Sequence, residues 1–201
     1  MTKQVYPIDT YHFKSHDGVL FDANIWMYIY GPPSHISSQY RYAYTSALRR
    51  IRGAGCQIVL DALVLSEFIN AYARFFYNKL PSELKPGDFK LFRNSSSFKP
   101  VAEQIARRAR KILEKSEPAK IRFESAELVS ILTEYAGGEA DFNDQVLAEL
   151  CRVNNLKLVT HDADFSGTNL TILTANPKLL LLQHGLLTTD VTNNFIPPTP
   201  P

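Results

Sequence analysis

Short apolar runs alternate with longer stretches of helical periodicity in this sequence. Together they predict an α/β fold with a mainly parallel sheet. Three observations carry that expectation. Runs such as Gly18 to Asp22, Cys56 to Leu60 and Leu156 to Thr160 are short, apolar and bounded by polar residues, as buried strands are. The segments between them show apolar residues at three- and four-residue steps. Acidic residues stand at the edges of the apolar segments: Asp22 after Val19-Leu20-Phe21, Glu67 after Leu63-Val64-Leu65-Ser66, and Asp162 and Asp164 after Leu158-Val159-Thr160. In parallel sheets, sites lie beyond the carboxyl ends of the strands, where Asp22 and the Asp162/Asp164 pair fall.

The elements follow in order. After the strand ending at Asp22, a helix begins near Asn24 and is interrupted by Pro32-Pro33, since proline lacks an amide donor. A second helix runs from about Ser38 to Arg52 and stops at Gly53-Ala54-Gly55. The strand Cys56 to Leu60 leads into a helix from Ala62 to Leu80, with Leu65, Phe68, Ile69, Tyr72, Phe75 and Phe76 as its apolar stripe. From Pro81 to Phe98 the composition turns to Pro, Gly, Ser, Asn and Lys, and a long loop is expected. Helices resume at Lys99 to Lys115, Ala126 to Tyr135 and Phe142 to Asn154. Leu156 to Thr160 and Leu170 to Leu173 are the last strands, and the Pro-rich end at 196–201 reads as an extended tail. No internal repeat is visible.

A hydrophobic content of 45% over 201 residues suffices for a core, and no stretch approaches the ~20 apolar residues that span a bilayer. The net charge of +2 permits a polyanionic partner without demanding one. Cys56 and Cys151 lie in apolar runs without metal-like spacing, which suggests buried free thiols in a reducing cytoplasm.

Each acid has a bland reading. Asp22 suits a helix N-cap, and Glu67 suits a surface glutamate near a helix N-terminus. Asp141 and Asp144 together could form a capping box, with Asp141 the better cap and Asp144 pointing further into the fold. The Thr160-His161-Asp162-Ala163-Asp164 segment could be a polar turn, with His161 an exposed turn histidine. If the elements pack side by side, the carboxylates converge, and a divalent cation with oxygen ligands is the simplest compensation for their charge.

Four segments in order, Phe21-Asp22-Ala23-Asn24-Ile25-Trp26, Ser66-Glu67-Phe68, Asn143-Asp144-Gln145-Val146-Leu147-Ala148 and Leu158-Val159-Thr160-His161-Asp162-Ala163-Asp164-Phe165, carry a family resemblance. The chain resembles PIN-domain ribonucleases, the fold used by VapC-type toxins of bacterial toxin–antitoxin pairs, from about residue 18 to 175. The resemblance implies a three-layer α/β/α fold with a central mainly parallel sheet and a helical insertion at about 78–125, longer than in compact toxin members. It implies a domain over 1–175, with 176–201 as a tail.

It further implies that Asp22, Glu67, Asp144 and Asp162 are the catalytic, metal-binding quartet, supported by Asn24, Ser66, Thr160, Asp164 and Asp141. One or two Mg²⁺ or Mn²⁺ ions would keep the acids ionised and activate water for in-line attack on an RNA phosphodiester. By the same resemblance the products carry 5′-phosphate and 3′-hydroxyl ends. An antitoxin protein and a homodimer are the implied protein partners. The alternative is a catalytically silent PIN-fold module that binds RNA or a protein. A phosphatase of the haloacid dehalogenase type would need a second Asp where Asn24 stands.

For RNA, Arg107, Arg108, Arg110 and Lys111 cluster on one helix, and such clusters contact phosphates. The competing reading is a solvated face paired with Glu103 and Glu114. Arg49, Arg50 and Arg52 form a second basic group under the same alternative. Tyr40, Tyr42 and Tyr44 are candidates for stacking on unpaired bases, whereas Tyr72, Phe75, Phe76 and Tyr77 read as core or a dimer face.

Overall fold

Among the described residues, six parallel strands form one sheet in the order β1-β6-β5-β2-β3-β4. The computed structural model describes residues 4–33, 37–119, 125–138 and 141–183. The strands are β1 (Gln4–Pro7), β2 (Gly18–Phe21), β3 (Gln57–Leu60), β4 (Glu117–Pro118), β5 (Leu156–Val159) and β6 (Thr171–Thr174). The helices are α1 (Ala23–Tyr30), α2 (Ser38–Gly53), α3 (Ala62–Lys79), α4 (Phe89–Arg93), α5 (Phe98–Leu113), α6 (Ser125–Ala136), α7 (Phe142–Val153) and α8 (Pro177–Gln183). Helices flank the sheet in the three-layer α/β/α arrangement that the sequence implies.

The central strands are apolar because both faces are covered. Val19, Leu20, Phe21, Leu158 and Val159 are all buried. Gly18 opens β2 opposite Leu156 of β5, and a Cβ there would come within 2.6 Å of the Leu156 Cδ2. A side chain there would have to displace the end of the Leu156 side chain. Gly55, with φ +74°, is the left-handed residue that follows the end of α2 and turns the chain into β3.

Several expectations are corrected. The expected loop from Pro81 to Phe98 contains a 3₁₀ turn at Ser82–Leu84 and the helix α4, capped by Asp88. Packing outweighs composition there: Phe92 is buried among Tyr77, Phe89 and Phe98. On α3 the buried side chains are Val64, Phe68, Tyr72 and Ala73, while Ile69 is exposed, so the core-facing stripe is rotated from the expected one. The strands β1 and β4 were not anticipated. Neither was α8, which packs against β1 with Leu179 buried in the core. The Pro-rich end at 196–201 lies outside the described residues.

Cys56 and Cys151 are buried and unpaired. At the amino-terminal end of the sheet, the Lys157 Nζ contacts Asp17 at 2.8 Å, with the Asp17 side chain almost fully buried. Among the described residues no helix is long and apolar enough to cross a membrane.

Candidate active site

β2 delivers Asp22 to the carboxyl edge of the sheet, and β5 beside it delivers Thr160. Asp22 stands at the N-cap position of α1, yet its side chain makes no capping bond. It turns instead to its neighbours: Oδ2 accepts from the Thr160 hydroxyl at 2.7 Å and from the Asn24 Nδ2 at 2.5 Å. Asn24 also donates to Thr160 at 3.3 Å and accepts the His161 amide at 3.2 Å. Thr160, fully buried, further accepts the Asp162 amide at 3.0 Å. The commonest structural role of an Asp at this position is therefore not the one its side chain takes.

Glu67 lies on α3, half-buried, and accepts from the Asn143 Nδ2 at 2.7 Å. That bond ties α3 to the first turn of α7. Asp141 caps α7 through the Asn143 amide at 2.8 Å, the structural role expected for it. Asp144, one turn on, faces inward. One cavity of about 510 Å³ brings together Asp22, Asn24, Glu67, Asp144 and Asp162, with Tyr28 and Met27 at its wall. Asp164 is exposed and lines a different cavity, so of the Asp162/Asp164 pair it is Asp162 that joins the other three. Ser66 is exposed and does not line the carboxylate cavity.

The electrostatics follow from this crowding. Burial pushes the Asp22 carboxyl up to about 6, against the Thr160 bond, and the charges of Glu67 and Asp162 add to the rise. Burial first, then the charges of Asp22, Asp162, Asp141 and Glu67, push Asp144 up to about 7. Glu67 is also raised by burial and by Asp141, with the Asn143 bond opposing. Among the described residues no lysine, arginine or histidine lines the cavity to offset these charges.

The donor set is all oxygen, the preference of Mg²⁺ and Mn²⁺. Among the described residues no three His, Cys, Asp or Glu side chains form a ready-made metal cage. Asp22 is turned to Thr160 and Asn24, Glu67 to Asn143, and Asp162 accepts the Asp164 amide at 3.0 Å. Mg²⁺ commonly keeps several waters and uses one or two carboxylates. The arrangement therefore fits a hydrated cation, one that Asp22 and Asp144 would hold.

His161, expected as an exposed turn residue, is half-buried against the rings of Tyr28, Tyr40 and Tyr44. Burial lowers its pKa, with Asp162 partly opposing. The Tyr44 hydroxyl accepts the Ala175 amide at 3.0 Å and meets the His161 Nδ1 at 2.7 Å. Burial raises the Tyr44 pKa, against hydrogen bonds to Thr174 and Ala175, so the phenol keeps its proton. The sequence carried no signal for this ring cluster beyond three tyrosines at alternate positions.

The basic candidates lie elsewhere. Arg107, Arg110 and Lys111 are exposed on α5 and Arg108 is half-buried, none of them lining the carboxylate cavity. Among the described residues the salt bridges are Arg152–Glu149 and Lys157–Asp17, so Glu103 and Glu114 form no direct ion pair with the basic residues of α5. Arg50 is committed to structure: it donates to the Tyr11 and Ile8 carbonyls and covers the Phe13 ring. Tyr44 is fully buried and unavailable for stacking, while Tyr42 is 74% exposed.

No curated protein matches the sequence. Among solved structures, the chain is similar to the VapBC2 complex from Rickettsia felis bound to a DNA fragment from their promoter. The TM-score is 0.48 and the identity 18%, with 78% of this chain and 98% of that chain covered. The family model described as the PIN domain matches residues 19–169, a span that contains the four carboxylates, Thr160 and the strands that carry them. On that match the chain belongs to the PIN-domain family.

Proposed function

We propose that this chain is a metal-dependent endoribonuclease that hydrolyses RNA phosphodiester bonds. The observation that supports it is the shared cavity of Asp22, Glu67, Asp144 and Asp162, where burial and the neighbouring carboxylates raise the proton affinity of Asp22 and Asp144 and no cationic side chain among the described residues joins the lining. Bound Mg²⁺ or Mn²⁺ would supply Lewis acidity, lowering the pKa of water and offsetting charge on the phosphate. Asp22, fixed by Thr160 and Asn24, is the anchoring ligand in this reading. Asp144, which shares the cavity with Asp22, is the second ligand in this reading. Glu67 and Asp162 complete the negative field, and Asn24 and Thr160 orient Asp22. The exposed basic face of α5 is the candidate contact for the RNA backbone.

The test is cleavage of single-stranded RNA by the purified chain in Mn²⁺, with and without chelator. Asp22→Asn and Asp144→Asn should each lower the rate by about 100-fold or more while leaving the far-UV circular dichroism unchanged. Equal cutting by both variants would remove the mechanism. RNA binding with no cleavage by the parent would instead favour the silent binding module. An antitoxin partner belongs to the same proposal: growth arrest on expression of the parent, absent with Asp22→Asn, is its expected signature.

A further inference from the structure

The face of α3 that lines the carboxylate cavity continues beyond it. Glu67 and Ala71 stand on that face within the lining, and Arg74 follows one turn after Ala71. Seven residues make almost two turns of helix, so Arg74 leaves α3 on the same side as Glu67, about 10 Å further along the axis. Arg74 is exposed, and its guanidinium lies over the Phe89 ring of α4, 4.7 Å from the centroid. Arg93, also exposed, approaches the same ring at 5.9 Å from the other end of α4. Tyr77 and Phe92 hold that ring in place, at 5.7 and 6.5 Å between centroids. Beside it the Lys85 ammonium covers Tyr77 at 4.5 Å.

Two guanidinium charges over one ring repel each other, and an anion beside both relieves the repulsion. Among the described residues neither arginine forms an ion pair with an acid. Asp88, next to Phe89 in the chain, is committed to the Leu91 amide at 2.7 Å as the cap of α4. Stacking on a ring leaves the edge of a guanidinium open, and its N–H fork matches two phosphate oxygens at once. We infer that α4 and the C-terminal half of α3 form a track for the backbone of single-stranded RNA, with Arg74 and Arg93 on phosphates that follow the one in the carboxylate cavity. The inference rests on the nuclease reading and gives it a direction: the strand leaves the cavity along α3 toward α4. Because cations cover the rings, the contacts fall on phosphates, which position a strand without reading its bases.

An acidic protein segment would bring the same charge, and the experiment separates the two. A fluorescein-labelled oligouridylate of about ten nucleotides is titrated with the full chain in chelator at several salt concentrations and followed by anisotropy. Chelator prevents metal-dependent cleavage, so a failure of catalysis cannot mimic a failure of binding. Arg74→Gln and Arg93→Gln, which shorten exposed side chains, should each weaken binding about tenfold. Each should also lower the slope of log affinity against log salt by about 0.7, the loss of one phosphate contact. Arg74→Lys, which keeps the charge without the fork, should fall between Arg74→Gln and the parent. In Mn²⁺ the glutamine variants should raise KM and leave kcat as in the parent, as the loss of uniform binding does. Parental affinity and slope in both glutamine variants would overturn the proposal, while cleavage by the parent would still stand. Loss confined to Arg107→Gln and Arg110→Gln would overturn it in favour of α5. Tighter binding of polyglutamate than of the oligonucleotide, with the same sensitivity to the variants, would overturn it in favour of an acidic protein partner.

Discussion

Thr160 has one hydroxyl proton and three polar neighbours. Its oxygen accepts from the Asp162 amide and the Asn24 side chain, so the proton goes to Asp22. One small side chain thereby ties the Asp22 carboxylate to the backbone of Asp162 and fixes the rotamer of Asp22. Asp22, Asn24 and Thr160 were all legible in the sequence as polar residues at strand ends. The unused cap was not, because capping and ligation begin from the same residue type at the same position, and only the partners differ. His161 was misplaced for a comparable reason: its environment is built by Tyr28, Tyr40 and Tyr44, which lie more than a hundred residues away. Tyr44→Phe removes the acceptor of the Ala175 amide and the hydrogen-bond partner of the His161 Nδ1 together. It should cost about 1–3 kcal/mol of unfolding free energy in urea, with an unchanged m-value. It should also release His161 into a mixture of tautomers, visible in its nitrogen chemical shifts. A single unchanged tautomer would refute the assigned network.

At the scale of elements, α7 does most to form the site. Asp141 caps it, Asn143 bonds to Glu67, and Asp144 enters the cavity, all within the first turn. Loss of the cap should therefore be felt twice. Asp141→Ala is expected to destabilise the protein by about 1 kcal/mol in chemical denaturation and to lower RNA cleavage through fraying of that turn. Activity equal to the parent, at the reduced stability, would show that the first turn is held by packing alone. The strong helices and the three central strands were readable because their patterns run long enough or apolar enough to leave little ambiguity. β1 has a single buried residue, Val5, and β4 has two residues, both exposed. Such strands exist through pairing with neighbours, and pairing leaves no local pattern. α4 is likewise a product of the aromatic cluster around Phe92.

Across the whole molecule, negative charge gathers at the carboxyl edge of the sheet while the Asp17–Lys157 pair closes the opposite end. The two ends respond to pH in different windows. Asp22 and Asp144 have folded-state values of about 6 and about 7, above the ordinary 3.8. The folded chain thus binds their protons more tightly than the unfolded chain. Stability falls as pH rises from that ordinary value through 6 and 7, and the penalty is complete above the higher of these. For Asp17, burial acts to raise the pKa, but the Lys157 and Lys14 bonds outweigh it and leave the value below 3.8. Its contribution is present above the ordinary value and is lost only as pH falls through the lowered one. In chelator, the melting temperature should be several degrees lower at pH 8 than at pH 5, at about 2–4 °C per kcal/mol for a chain of this size. Millimolar Mg²⁺ should restore it at pH 8. Equal melting temperatures at the two pH values would mean that the carboxylates do not repel.

The space that Gly18 leaves is occupied by the Leu156 side chain, whose Cδ2 a Cβ there would approach to 2.6 Å. β2 and β5 are registered from Gly18 opposite Leu156 to Phe21 opposite Val159, a rise of about 10 Å. Asp22 and Thr160 follow directly at the far end. A methyl group added at the glycine end would push the tip of that leucine out of its place, so the change would fall on side-chain packing at one edge of the sheet and leave the strands, and the hydroxyl and carboxylate at the other edge, in register.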